Sequence, residues 1–157
     1  MEYGLFLALI GVATSVIVAG VGSILAVRNV GQASAGLITE DPDKFGKVLL
    51  LTALPGSQGI YGFLAAIIII NKIGILSGNP VDISTASGWH ILIASLPVAV
   101  SCFFSAISQG KLASAGVNIT AKQPDASGKG VILAAIVETY AVLGLLITIL
   151  LVNGLKI

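Results

Sequence analysis

Apolar residues fall in four long blocks along this chain, and the polar residues collect between them. Tyr3 to Val27, Val48 to Asn71, Ile83 to Gly110 and Gly130 to Leu155 are uncharged or nearly so. A helix needs roughly 20 apolar residues to cross a bilayer, and each block is long enough. The pattern predicts an all-α membrane protein of four transmembrane helices. The first block follows Glu2 rather than a basic start, and it exceeds the 7–15 apolar residues usual in a signal peptide, so it reads as a helix.

The two halves resemble each other. Ala33-Ser34-Ala35-Gly36 recurs as Ala113-Ser114-Ala115-Gly116, Pro42-Asp43 as Pro124-Asp125, and Gly46-Lys47 as Gly128-Lys129. An apolar helix follows each Gly-Lys. This is an internal repeat of a helical hairpin, oriented the same way twice, with residues 1–72 as the first hairpin and 73–157 as the second. Each proline helps stop the helix before it. The register that sets Lys47 on Lys129 also sets Gly62 on Gly144 and Gly56 on Glu138. One hairpin therefore carries a carboxylate at mid-membrane and the other carries none. Small residues line the first helix (Gly11, Ala19, Gly20, Gly22, Ala26) and the third (Ser105, Ser108, Gly110, Ala113, Gly116), which predicts close helix packing inside an oligomer.

Composition agrees with a membrane chain. Of 157 residues, 56% are hydrophobic and 10% charged, with a mean hydropathy of +1.05. A soluble domain carries about a quarter charged residues. The net charge of +1 points to neither nucleic acid nor an acidic partner. Cys102 is the only cysteine, so no internal disulfide or cysteine-based metal site forms. Arg28, Lys44, Lys47, Lys111, Lys122 and Lys129 cluster at the connections after the first and third helices, and only Lys72 and Lys156 lie on the other side. The positive-inside bias makes the two short loops cytoplasmic and puts both termini outside. Trp89 and His90 open the third helix at the outer interface, where an anchoring role suffices for both. Asn118-Ile119-Thr120 matches a glycosylation pattern by accident, on the cytoplasmic side.

Of seven acidic residues, Glu138 alone interrupts a spanning stretch. A charge at the bilayer centre costs about 2.5–3.5 kcal/mol on insertion scales. The side chain is therefore protonated, paired or bound to a cation. Ser57 and Tyr61, four apart, share a helix face, with Gln58 beside them. Gln58 follows Pro42, and Glu138 follows Pro124, at nearly the same distance along the chain, and Gln109 precedes Pro124 by about as much. At ~1.5 Å per residue these side chains reach similar depth. Pro55 removes an amide donor and loosens the helix near Leu54. A carboxylate, two amides, a hydroxyl and a carbonyl form an all-oxygen set, which hard cations prefer. One negative charge suits a monovalent ion better than calcium or magnesium. Interhelical glue is the plainer reading of the two glutamines.

The segments Leu54-Pro55-Gly56-Ser57-Gln58-Gly59-Ile60-Tyr61-Gly62, Gln109-Gly110-Lys111 and Val137-Glu138-Thr139-Tyr140-Ala141 resemble those of the 16-kilodalton proteolipids of V-type ATPases, above all the K subunits of bacterial sodium-translocating enzymes. The resemblance covers nearly the whole chain. It implies a ring of identical subunits forming a membrane rotor, with Glu138 as ion carrier. It also implies Leu54 (through its carbonyl), Ser57, Gln58 and Gln109 as further Na+ ligands, and Tyr61 as the residue that holds the glutamate closed. Ser57 stands where the sodium-type motif usually has threonine, which keeps the hydroxyl and loses a methyl. Implied partners are identical subunits, a stator membrane subunit with a basic residue, a central-stalk subunit on the cytoplasmic face, and lipid. ATP hydrolysis belongs to other subunits, and no nucleotide-binding pattern occurs here. The rivals are the same rotor carrying H+ and, from another class, a small four-helix multidrug or cation antiporter. The antiporter would carry its carboxylate in the first helix among aromatics, and a structural pore would leave Glu138 without a purpose.

Overall fold

The computed structural model describes residues 2–156. Five α-helices make four spans: α1 (Glu2–Glu40), α2 (Phe45–Ala53) continuing through a 3-10 turn at Leu54–Gly56 into α3 (Ser57–Lys72), α4 (Thr85–Lys122) and α5 (Ser127–Gly154). All four are long and apolar enough to cross a membrane. No strand occurs among the described residues.

The spans outrun the apolar blocks. At ~1.5 Å per residue, the 39 residues of α1 reach about 58 Å, nearly twice the ~30 Å hydrocarbon layer. Of the six basic residues expected at connections, only Lys44 lies in one; Arg28, Lys47, Lys111, Lys122 and Lys129 lie on helices instead. The extension persists because it keeps an apolar stripe. Val30 and Leu37 of α1 pack with Val48 and Leu51 of α2 and with Ala113 and Val117 of α4. The connections themselves are one 3-10 turn each, Pro42–Lys44 and Pro124–Ala126, both opened by the repeated proline. At the opposite end α3 stops just before Gly74, whose φ of +79° a side chain would resist. There the Gly74 amide donates to Asn71 O and the Ile75 amide to Ile70 O, closing the helix end. Ser84 caps α4 by accepting from the Ser87 amide at 3.1 Å. Trp89 and His90 lie one turn inside that helix, both exposed.

α1 and α4 form a close seam. A Cβ on Gly22 would stand 2.7 Å from Phe103 Cα, and one on Gly110 would stand 2.9 Å from Ala26 Cβ. Only glycine allows such an approach, and close backbones are what replace the hydrophobic effect between helices in lipid.

The sequence repeat recurs in three dimensions. Gly62 lies against Ser15 and Ala19 of α1, and its equivalent Gly144 lies against Pro97 and Ser101 of α4, the equivalents of that serine and alanine. Ser23 Oγ donates to Pro55 O at 2.6 Å, and Ser105 Oγ donates to Val137 O at 2.9 Å. Ser57 Oγ donates to Leu54 O, and Thr139 Oγ1 to Ile136 O, both at 2.9 Å. Three apolar clusters stack along the bundle. The middle one holds Ala19, Ala65, Val98, Cys102 and Ala141; the one at the Pro42/Pro124 end includes Ala134. Glu138 falls between Ala134 and Ala141 on α5, at the gap between these two clusters.

Candidate ion-binding site

The site begins with Pro55. Its ring removes the amide that would donate to Leu51 O, and the helix tightens into the 3-10 turn. The Ser57 amide then donates to Leu54 O, which also accepts the Ser57 hydroxyl. The kink is pinned to α1 by the Ser23 hydroxyl on Pro55 O. This turn brings a carbonyl, a hydroxyl and an amide side chain to one place, since Ser57 Oγ also lies 3.3 Å from Gln58 Oε1.

Gln58 and Gln109 are fully buried. An amide withdrawn from water is costly unless hydrogen-bonded, and here each is paired. Gln58 Nε2 donates to Gln109 Oε1 at 2.7 Å and reaches Ser105 Oγ at 3.4 Å. Gln109 Nε2 donates to Ala134 O at 3.2 Å and lies 3.5 Å from Glu138 Oε2. Glu138 itself is half-buried, and its other oxygen accepts from the Tyr61 hydroxyl at 2.5 Å. Among the described residues the ion pairs are Lys44–Asp41 and Lys47–Asp125, so no basic side chain neutralises this carboxylate. A groove of about 380 Å³ lined by Ala135, Glu138, Thr139, Val142 and Leu143 opens beside it.

Each residue singled out from the sequence thus sits in one cluster at one depth: Leu54, Ser57, Gln58 and Tyr61 from the kinked span, Gln109 from α4 and Glu138 from α5. Two members went unrecognised. Ser105, read as a packing residue, bridges Gln58 to the Val137 carbonyl. The Ala134 carbonyl holds the Gln109 amide, and a backbone acceptor leaves no mark in a sequence. Ser105 had one signal: it is the repeat equivalent of Ser23. The pieces offer several oxygens around a single negative charge, which is chemistry for a hard cation or a proton.

Comparison with known proteins gives the family of the chain. The pattern of the ATP synthase C-subunit family matches twice, over residues 10–69 and 92–151. The two matches are offset by the same register that sets Pro42 on Pro124 and Lys47 on Lys129. The V-type sodium ATPase subunit K of Enterococcus hirae is 46% identical over 149 residues, covering 95% of this chain and 92% of that protein. The A-type ATP synthase subunit K of Methanocaldococcus jannaschii is 38% identical over 96% of this chain, which spans 63% of that longer protein. The human V-type proton ATPase 16 kDa proteolipid is 25% identical over 96% of this chain and 93% of its own length. Two hairpins, each matching the same family, and a relative similar from end to end leave one conclusion: the chain belongs to the ATP synthase C-subunit family, as a multi-pass, non-catalytic rotor proteolipid of a V/A-type ATPase.

Proposed function

We propose that this subunit carries Na+ across the membrane at Glu138, one ion per chain, within a rotating ring of identical copies. The observation that carries the reading is the oxygen cluster around an unpaired carboxylate. Leu54 O, Ser57 Oγ, Gln58 Oε1, Gln109 Oε1 and the Glu138 carboxylate belong to one hydrogen-bonded group, closed by Tyr61. A carboxyl that only carried a proton would need no such set. The name of the Enterococcus hirae relative, a sodium ATPase subunit, supports the same ion.

The mechanism follows from charge. With Na+ bound, Glu138 is neutral overall and can face lipid as the ring turns. At the stator subunit a basic side chain displaces the ion, and the site reloads from the other side. Moving one charge across 100 mV takes about 2.3 kcal/mol. ATP hydrolysis on other subunits supplies it as torque through a central stalk bound at the cytoplasmic face. The positive-inside bias puts the Pro42 and Pro124 turns on that face and both termini outside. The hairpins of residues 1–72 and 73–157 are two copies of one unit, of which only the second kept its carboxylate, a reading supported by the contacts that recur at equivalent positions in both.

Labelling of the purified ring with a hydrophobic carbodiimide, which attacks a protonated carboxyl, tests the reading. Millimolar Na+ at fixed pH should protect Glu138, and K+ should not. Labelling that ignores Na+ and follows pH alone would assign the same rotor to H+.

A further inference from the structure

Serines inside helices commonly donate back to a carbonyl three or four residues earlier. Ser15, Ser95, Ser101 and Ser114 do so here, to Val12 O, Leu92 O, Val98 O and Gly110 O. Ser105 does not. Its hydroxyl crosses to α5 and donates to Val137 O at 2.9 Å. Ser23, its repeat equivalent, crosses in the same way to Pro55 O, in the hairpin that has no carboxylate. The crossing bond therefore belongs to each hairpin and does not depend on an ion. In the second hairpin it has a further consequence. The one proton of the Ser105 hydroxyl is committed to Val137 O, so only lone pairs remain to face Gln58, whose Nε2 lies 3.4 Å away.

Gln109 is oriented by the same logic. Ala134 O accepts and cannot donate, so it faces Gln109 Nε2, at 3.2 Å. That turns Gln109 Oε1 toward Gln58, which answers with its Nε2 at 2.7 Å. Ser105 and Gln109 stand one turn apart on α4, and Ala134 and Val137 one turn apart on α5, so two rungs tie the turn before Glu138 to α4. With Gln58 Nε2 held by Ser105 and Gln109, Gln58 Oε1 is left facing Ser57, 3.3 Å from its hydroxyl. An amide turned round would aim N–H donors at a cation, and the site would lose an oxygen ligand.

Building on the Na+ reading above, we propose that Ser105 is a positioning residue that sets the preference of the site for Na+ over H+, by accepting from Gln58 Nε2 and so holding the Gln58 oxygen toward the ion. Its effect falls on the metal ion alone. A proton on Glu138 needs no oxygen ligand besides the carboxylate. Among the described residues Gln58 makes no hydrogen bond to Glu138, and the two side chains that do, Tyr61 and Gln109, reach it without Ser105.

The test is carbodiimide labelling of the purified ring, read at Glu138 by mass spectrometry, with native mass spectrometry to confirm assembly. Ser105→Ala removes the acceptor, and Ser105→Cys keeps nearly the same volume with a much weaker one. In each, the half-protecting Na+ concentration should rise about fivefold, the worth of one neutral hydrogen bond. Without Na+, the pH of half-labelling should stay within about 0.3 unit of the unaltered ring, because the carboxylate keeps its own partners. Ser105→Thr, which keeps the hydroxyl, should bring Na+ protection back to within about twofold. Unchanged Na+ protection in both variants overturns the assignment, as does an equal loss in Ser105→Thr. A matching shift in the Na+-free pH profile overturns it too, since that marks a general loosening around Glu138. If neither variant assembles, Ser105 is a packing residue and the assignment falls. An unaltered ring that Na+ does not protect overturns the Na+ reading itself, and this inference with it.

Discussion

Tyr61→Phe removes one hydroxyl and keeps the ring that packs against the middle cluster of Ala19, Ala65 and Cys102. The hydroxyl donates to Glu138 Oε1 at 2.5 Å. A hydrogen bond to a charged group contributes about 1.5–3 kcal/mol, and about 1.4 kcal/mol is tenfold in affinity. On the proposed reading this bond holds the carboxylate in its loaded position, so its loss falls on the loaded state. Glu138 is half-buried rather than enclosed, so the lower end of the range applies, and the expected loss of Na+ affinity is about tenfold. The assay is the Na+ concentration that half-protects Glu138 from carbodiimide in the purified ring at fixed pH. A shift of less than about twofold, with the ring intact, would refute the view that Tyr61 holds the loaded carboxylate.

Three further outcomes are expected. Glu138→Gln should leave the ring assembled by native mass spectrometry while ATP-driven Na+ uptake by the reconstituted complex falls to background. Ser57→Ala takes the hydroxyl from Leu54 O and Gln58 Oε1, about 1 kcal/mol, and should raise the half-protecting Na+ concentration roughly fivefold, whereas Ser57→Thr should stay within about twofold. Gly110→Ala puts a Cβ 2.9 Å from that of Ala26 and should lower stability by about 1–3 kcal/mol in thermal unfolding in detergent, while Gly46→Ala, with nothing within 4 Å, should not.

The four spans were legible because a bilayer demands runs of apolar residues whatever the tertiary packing. Their ends were not. The first block stops being apolar at Val27, but Val30 and Leu37 continue one buried stripe to the turn at Pro42, and hydropathy averages that stripe away. The proline turns and the kink at Pro55 were readable, since a missing amide has one local consequence. Glu138 stood out as the one acidic residue inside an apolar block, and depth counted from the turns brought Gln58 and Gln109 level with it. That they meet depends on helix rotation, which the counting of residues leaves free. The same freedom hid Ser105, whose small side chain looked like packing and turns out to bridge Gln58 and Val137 O. The repeat was the most informative signal, because the register that sets Lys47 on Lys129 also relates the hydrogen bonds of Ser23 and Ser105 and the close contacts of Gly62 and Gly144.

The most direct test of the central claim is radioactive Na+ binding to the purified ring, counted per chain. The account predicts one Na+ per chain in the unaltered protein and none in Glu138→Gln. Binding that survives Glu138→Gln, or a ring that takes up no Na+ at saturating concentration, would contradict it.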